Sequence, residues 1–183
     1  MKVTETSLPG VLVIEPKVFP DARGFFVETY NKGRYVASGI LPEFVQDNLS
    51  FSTRGVLRGL HYQNPHAQGK LVYVLQGEVW DVAVDIRSDS PHFGRWTAVT
   101  LSAENKRQFY IPPGFAHGFC VLSETALFTY KCTDLYYPEC DAGVRWDDPE
   151  LGIDWPVREP LLSAKDRNQP LLKDVQTGRL PRG

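Results

Sequence analysis

The chain has no long hydrophobic run: its longest uninterrupted apolar stretch is Leu71 to Leu75, against the roughly 18 residues that a membrane-spanning helix requires. The opening Met1-Lys2-Val3-Thr4-Glu5 has no apolar core of the kind a secretory signal needs, so a cytoplasmic setting is expected. There is no excess of basic charge. Twenty Lys and Arg stand against 22 Asp and Glu, a net charge of −2, which leaves no global cationic field to hold nucleic acid or an anionic membrane. The three cysteines, Cys120, Cys132 and Cys140, include no Cys-x-x-Cys pair, which argues against a zinc site or a disulfide framework. A Gly-rich dinucleotide-binding loop is missing as well.

What is present is a β-rich pattern in 183 residues, a length that suits one domain spanning 1–183. Short stretches rich in Val, Phe, Tyr and Trp alternate with Gly and Pro turns. They predict strands at 11–14, 24–30, 44–51, 56–62, 71–75, 79–86, 97–101, 108–111, 118–122 and 126–132. Alternation is clearest after Gly77. Trp80, Val82, Val84 and Ile86 share one face, and Asp81, Ala83, Asp85 and Arg87 the other. Helical signals are confined to Asn31–Ser38 and to a turn opening at Ser163. The pattern implies an all-β fold, a sandwich, jelly roll or small barrel, with the last two dozen residues laid over its surface.

Three clusters carry polar groups that such strands do not need. The first is Arg54-Gly55-Val56-Leu57-Arg58-Gly59-Leu60-His61-Tyr62-Gln63, followed by Gln68-Gly69-Lys70. Charges embedded in an apolar strand must be paired or solvated, so this stretch lines an anion-binding cavity or forms a wet strand edge. Strict alternation puts Arg58 and His61 on opposite faces, so one shared site requires a bulge at Gly59. The second cluster, Pro112-Pro113-Gly114-Phe115-Ala116-His117, resembles half of the cupin signature. The His-x-His half, which would complete a metal site, is missing, and the chain has only four histidines; no metal is expected. The third is Phe128-Thr129-Tyr130-Lys131-Cys132, where a tyrosine packed in a core would be the ordinary reading.

Taken together, these segments resemble the dTDP-4-dehydrorhamnose 3,5-epimerase family. The resemblance rests on Asp21-x-Arg23-Gly24-Phe25-Phe26-x-Glu28, Phe44-Val45-Gln46-Asp47-Asn48, the Arg58 to Gln63 stretch and Gln68-Gly69-Lys70. It continues through the His117 segment, Tyr130-Lys131-x-Thr133-Asp134, Ile153-Asp154-Trp155-Pro156 and Leu162-Ser163-x-Lys165-Asp166. It implies a cupin-like jelly roll that pairs as a homodimer and uses neither cofactor nor metal. The reaction implied is inversion of dTDP-4-dehydro-6-deoxy-D-glucose at carbons 3 and 5 through enolates, giving dTDP-4-dehydro-L-rhamnose.

Carried over residue by residue, the resemblance makes His61 the base, Asp166 its carboxylate partner, Lys70 the cation at the enolate oxygen and Tyr130 the acid. Arg23 and Arg58 would meet the phosphates. Glu28, Gln46, Asp47, Asn48, His117 and Lys165 would line the nucleotide and sugar site, with the segment around Arg23 and Glu28 reaching across the dimer. Asp141 stands where family members often carry glutamate, and an aromatic in the Tyr136-Tyr137 region would stack on thymine. Two other functions remain compatible with these residues: an epimerase acting at one carbon of a related dTDP-4-keto-deoxysugar, and a nucleotide-sugar-binding jelly roll without turnover.

Overall fold

The computed structural model describes residues 1–183. In chain order the strands are β1 (Lys2–Glu5), β2 (Leu12–Glu15), β3 (Val18–Asp21), β4 (Gly24–Val27), β5 (Gln46–Thr53), β6 (Leu57–Gln63), β7 (Lys70–Gln76), β8 (Glu78–Asp85), β9 (Trp96–Ser102), β10 (Gln108–Ile111), β11 (Phe115–Val121), β12 (Thr125–Cys132) and β13 (Asp141–Gly143). A six-stranded sheet runs β1-β2-β10-β7-β12-β5, a five-stranded sheet runs β13-β6-β11-β8-β9, and β3 pairs with β4 as a separate hairpin. Paired strands are antiparallel throughout both sheets, and the two sheets form the layers of a cupin-like jelly roll.

Ten of these strands fall on predicted segments; β1, β3 and β13 do not. β1 is a polar edge strand, and β13 reads Asp-Ala-Gly, extended only because it pairs with the outer edge of β6. The segment predicted as one strand over 24–30 starts at Gly24, at φ 137° after a tight turn, but ends at Val27, where its partner β3 begins at Val18. In that turn the Arg23 N–H donates to Asp21 Oδ1 at 2.8 Å. Helix α1 (Lys32–Ala37) is capped by Asn31, whose side chain accepts from the Arg34 N–H. Helix α2 (Ala164–Arg167) is capped by Ser163 Oγ, which accepts from the Asp166 N–H at 3.0 Å.

Period-two alternation sorts each strand between an inner and an outer face. Val72, Val74, Ala83, Phe109, Phe119 and Phe128 form the core between the sheets. There the rings of Phe119 and Phe128 stack at 4.1 Å, one from each sheet. On the outer face of the five-stranded sheet, Val82, Val84 and Ile86 lie under Trp155, Leu172 and Leu180. The C-terminal segment therefore lies over the surface and also seals a second apolar cluster; each large aliphatic side chain buried there is worth about 1.5–3 kcal/mol. The outer face of the six-stranded sheet is covered only in part, by Tyr35 and Ile40 against Leu12, Ile14, Leu71 and Tyr110. Leu49, Phe51 and Leu75 stay exposed there, as do Phe19, Phe25 and Phe26 on the hairpin.

Candidate active site

The cavity opens between the sheets. From the five-stranded sheet β6 contributes Arg58 and His61, and β11 contributes His117. From the six-stranded sheet come Lys70 at the start of β7, Tyr130 on β12, and the inward row of β5. An outer chamber of about 360 Å³ is lined by Gln46, Asn48, His61, Lys70, Tyr130 and Asp141, among others. A smaller chamber of about 210 Å³ continues inward past Arg58, His117, Phe119 and Phe128. A larger groove, about 650 Å³, lies beyond β13, but it holds none of His61, Lys70 or Tyr130.

Arg58 and His61 reach one cavity because β6 carries the bulge expected at Gly59. His61 pairs with His117 and Arg58 with Phe119, so three steps on β6 match two on β11. Gly59 has φ 137°, and a Cβ there would sit 2.5 Å from Gly118 Cα. No other residue fits that close approach with that backbone.

His61 Nε2 lies 2.5 Å from Asp166 Oδ1. Burial raises the Asp166 carboxyl, but hydrogen bonding and charge from His61 and the bond to Ser163 outweigh it, and the net shift is downward. An ionised carboxylate only accepts, so the imidazole proton sits on Nε2 and leaves the Nδ1 lone pair free. The His61 side chain is 32% exposed and Asp166 only 4%: the imidazole is open to the cavity while its partner is shielded.

A second histidine–carboxylate pair stands behind the first. His117 Nε2 faces both Asp81 oxygens, at 2.9 and 3.0 Å, and both side chains are buried. Burial pushes His117 down and Asp81 up, toward the neutral forms. Lys70 is held below the ordinary lysine value by burial, with the charge of Asp81 among the groups pulling it back up. The Tyr130 hydroxyl is raised by burial and keeps its proton. His61 and His117 are each taken up by a carboxylate, and no three His, Cys, Asp or Glu side chains converge as metal ligands do.

The remaining predicted residues divide. Gln46 and Asn48 line the outer chamber, whereas Asp47, one step along β5, points outward and binds Lys131 at 2.9 Å. Arg58 Nε donates to Ser52 Oγ at 3.0 Å. The Asp141 carboxylate accepts from Lys165 and, at 2.9 Å, from the Tyr136 hydroxyl, so these three close the chamber's mouth together. Arg23 and Glu28 lie outside the cavity of a single chain. Arg23 is 90% exposed and paired with Asp21, and Glu28 is paired with Arg34 at 3.0 Å. Asp81 was not among the predicted site residues. Its only sequence signal is a carboxylate at an inward position of a strand whose neighbours are valine and alanine.

An imidazole with a fixed tautomer on one wall, a protonated phenol from the facing sheet and a half-buried ammonium suit an isomerase for carbon acids next to a carbonyl. The sequence narrows this class. Residues 5–174 match the family model described as dTDP-4-dehydrorhamnose 3,5-epimerase, and the chain belongs to that family. It is 59% identical over 170 residues to the dTDP-4-dehydrorhamnose 3,5-epimerase of Shigella flexneri, covering 92% of this chain and 94% of that one. With the enzyme of the same name from Pseudomonas aeruginosa it shares 57% over 177 residues, covering 96% and 98%. Among solved structures it resembles the dTDP-6-deoxy-D-glucose-3,5-epimerase of Legionella pneumophila in complex with dTDP-4-keto-L-rhamnose. The TM-score there is 0.97 at 54% identity, covering 100% of this chain and 98% of that one.

Proposed function

We propose that this chain inverts carbons 3 and 5 of dTDP-4-dehydro-6-deoxy-D-glucose, giving dTDP-4-dehydro-L-rhamnose in dTDP-L-rhamnose biosynthesis. The observation that carries the residue roles is that His61 and Tyr130 line one cavity from opposite sheets, with Lys70 in the same wall. Carbons 3 and 5 both flank the C4 ketone. His61 Nδ1 takes the C–H proton, and the electron pair moves onto the ketone oxygen as an enolate. Asp166 stabilises the imidazolium that forms, and such general-base catalysis is worth about 10²–10⁴-fold. Lys70 neutralises the enolate oxygen, a contribution of about 3 kcal/mol in a dry site. The Tyr130 hydroxyl then delivers a proton to the carbon from the other face and regains one from solvent. Before the second inversion the His61 imidazolium releases to solvent the proton it took. The C4 ketone itself supplies the acidity, so the scheme calls for no redox cofactor.

Arg58 meets the pyrophosphate with its planar fork, and Gln46, Asn48, His117, Asp141 and Lys165 hold the sugar and nucleotide. Asp47 borders them, and Tyr136 supplies the aromatic surface at the mouth. Arg23 and Glu28 act on a second copy of the chain. This homodimer is supported by the exposed Phe19, Phe25 and Phe26 beside them and by the uncovered Leu49, Phe51 and Leu75, an apolar extent that suits a protein interface. We place the enzyme in the cytoplasm, with its nucleotide substrate; no helix is long and apolar enough to cross a membrane.

The experiment is proton NMR of the substrate with the protein in D₂O. Deuterium at both C3 and C5 is expected. Deuterium at one carbon would establish a single-site epimerase, and binding of dTDP without exchange would leave a nucleotide-sugar binder. Mixing Arg23→Ala with His61→Ala tests the shared site. Two inactive variants should together regain roughly a quarter of wild-type activity per site, the statistical share of hybrid sites carrying neither change. No recovery from the mixture would defeat the shared site.

A further inference from the structure

The inward row of β5 is Gln46, Asn48, Ser50 and Ser52, and three of these four are occupied by the protein itself. Gln46 accepts the Tyr136 N–H at 2.8 Å and donates to Asn48 Oδ1 at 3.0 Å. Asn48 donates in turn to Cys132 Sγ at 3.5 Å, and Ser52 Oγ receives Arg58 Nε. Ser50 Oγ is shut off from solvent and bonded to nothing. Buried hydroxyls are ordinarily paired, and an orphan one calls for an explanation. This one lines the inner chamber, alongside Arg58, His61, Lys70, His117 and Tyr130.

We propose that Ser50 is a substrate-binding residue whose hydroxyl pairs with an oxygen of the hexose ring. Its place on the strand argues for the hexose rather than the nucleotide. The inward neighbour on one side is Asn48, which pairs across the sheet with Tyr130, and on the other is Ser52, which holds Arg58. Ser50 thus stands one inward step from the acid and one from the phosphate-binding guanidinium, and the hexose is the part of a nucleotide sugar that bridges them. Of the chamber's other polar groups, Arg58 and Lys70 can only donate, His117 is engaged by Asp81, and His61 and Tyr130 have the proton-transfer roles proposed above. Ser50 is an unengaged donor and acceptor, the complement of a sugar hydroxyl. Phe119 and Phe128 form the apolar remainder of the wall, and the only other hydroxyl of the chamber is that of Tyr130, given to proton transfer above.

This inference rests on the epimerase reading, and the test separates the two. Wild type and Ser50→Ala are compared for turnover of the dTDP-hexulose, for affinity toward dTDP alone and for thermal midpoint. A lost hydrogen bond predicts kcat/KM about tenfold lower or more, with dTDP affinity within about twofold and a thermal midpoint equal or higher, since an orphan hydroxyl has been removed. Unchanged kcat/KM would overturn the assignment. A parallel loss of dTDP affinity would make the contact a phosphate one, and a lower midpoint with lost activity would make Ser50 a structural residue; both overturn it. An inactive wild type would instead defeat the epimerase reading itself.

Discussion

The two histidine–carboxylate pairs use the same chemistry at opposite degrees of burial. In His61–Asp166 the carboxylate is shielded and the imidazole is 32% exposed; in His117–Asp81 neither side chain exceeds 7%. The first pair borrows its carboxylate from the helical turn α2, outside the sheets, and so can present a ring nitrogen to a ligand. The second is built wholly from β8 and β11, with its Nε2 spent on both carboxylate oxygens. A residue pair therefore says little about its role until the solvent access of each partner is known. Exposure of the histidine leaves one pair able to exchange a proton with a ligand, and enclosure of both partners makes a fixed polar wall of the other.

The strongest way to break this contrast is His61→Ala, for which kcat should fall about 10²–10⁴-fold while calorimetry finds dTDP binding nearly intact and the thermal midpoint close to wild type. Asp81→Asn should invert that profile. Removing the charge beside the enclosed His117 leaves buried groups poorly matched, at a cost of about 1–3 kcal/mol, and the midpoint should drop by roughly 2–10 °C. If Asp81→Asn instead abolished exchange at unchanged stability, the enclosed pair would itself be moving protons. The smallest effect is on pH dependence, through Lys70. Burial holds its pKa below 10.5, so the ammonium loses its proton earlier than a free lysine, while the raised Tyr130 still holds its own. Activity should therefore fall on the alkaline side at a pH below 10.5. In Lys70→Arg, whatever its lower kcat, that limb should move to higher pH. The same sign makes the buried lysine a cost to folding at neutral pH that fades as the pH climbs toward 10.5.

Much of the layout was legible in the sequence. Alternation in β8 separates the valines that meet the C-terminal segment from the aspartates that face inward, and the charges in β6 allowed a cavity or a wet strand edge, of which the structure has the cavity. The single glycine between Arg58 and His61 carried enough information to predict the bulge. What alternation could not supply was the identity of partners. Asp81 and Asp85 look alike on β8, yet Asp81 meets His117 diagonally across the β8–β11 pair, whereas Asp85 is taken up at 2.6 Å by Arg87, two residues along its own chain. Asp47 shares its motif with Gln46 and Asn48 but leaves the cavity through the pleat itself. β13 was illegible for another reason: Asp141, Ala142 and Gly143 have little strand preference, and their extended form is imposed by the neighbouring edge. The segment of Arg23 and Glu28 could be singled out by its motif, but the β3–β4 hairpin it forms and its distance from the cavity are properties of the folded chain alone.

The Phe119–Phe128 stack, one ring from each sheet, acts as a spacer between two jaws. His61 rides on one jaw and Tyr130 on the other, two residues from Phe128 along the same strand. The thickness of two aromatic rings thus gauges the gap between the imidazole and the phenol that face each other across the cavity. A thinner or thicker pair of rings would change the separation of His61 and Tyr130 without touching either of them, so the width of the cavity is set partly by the hydrophobic core.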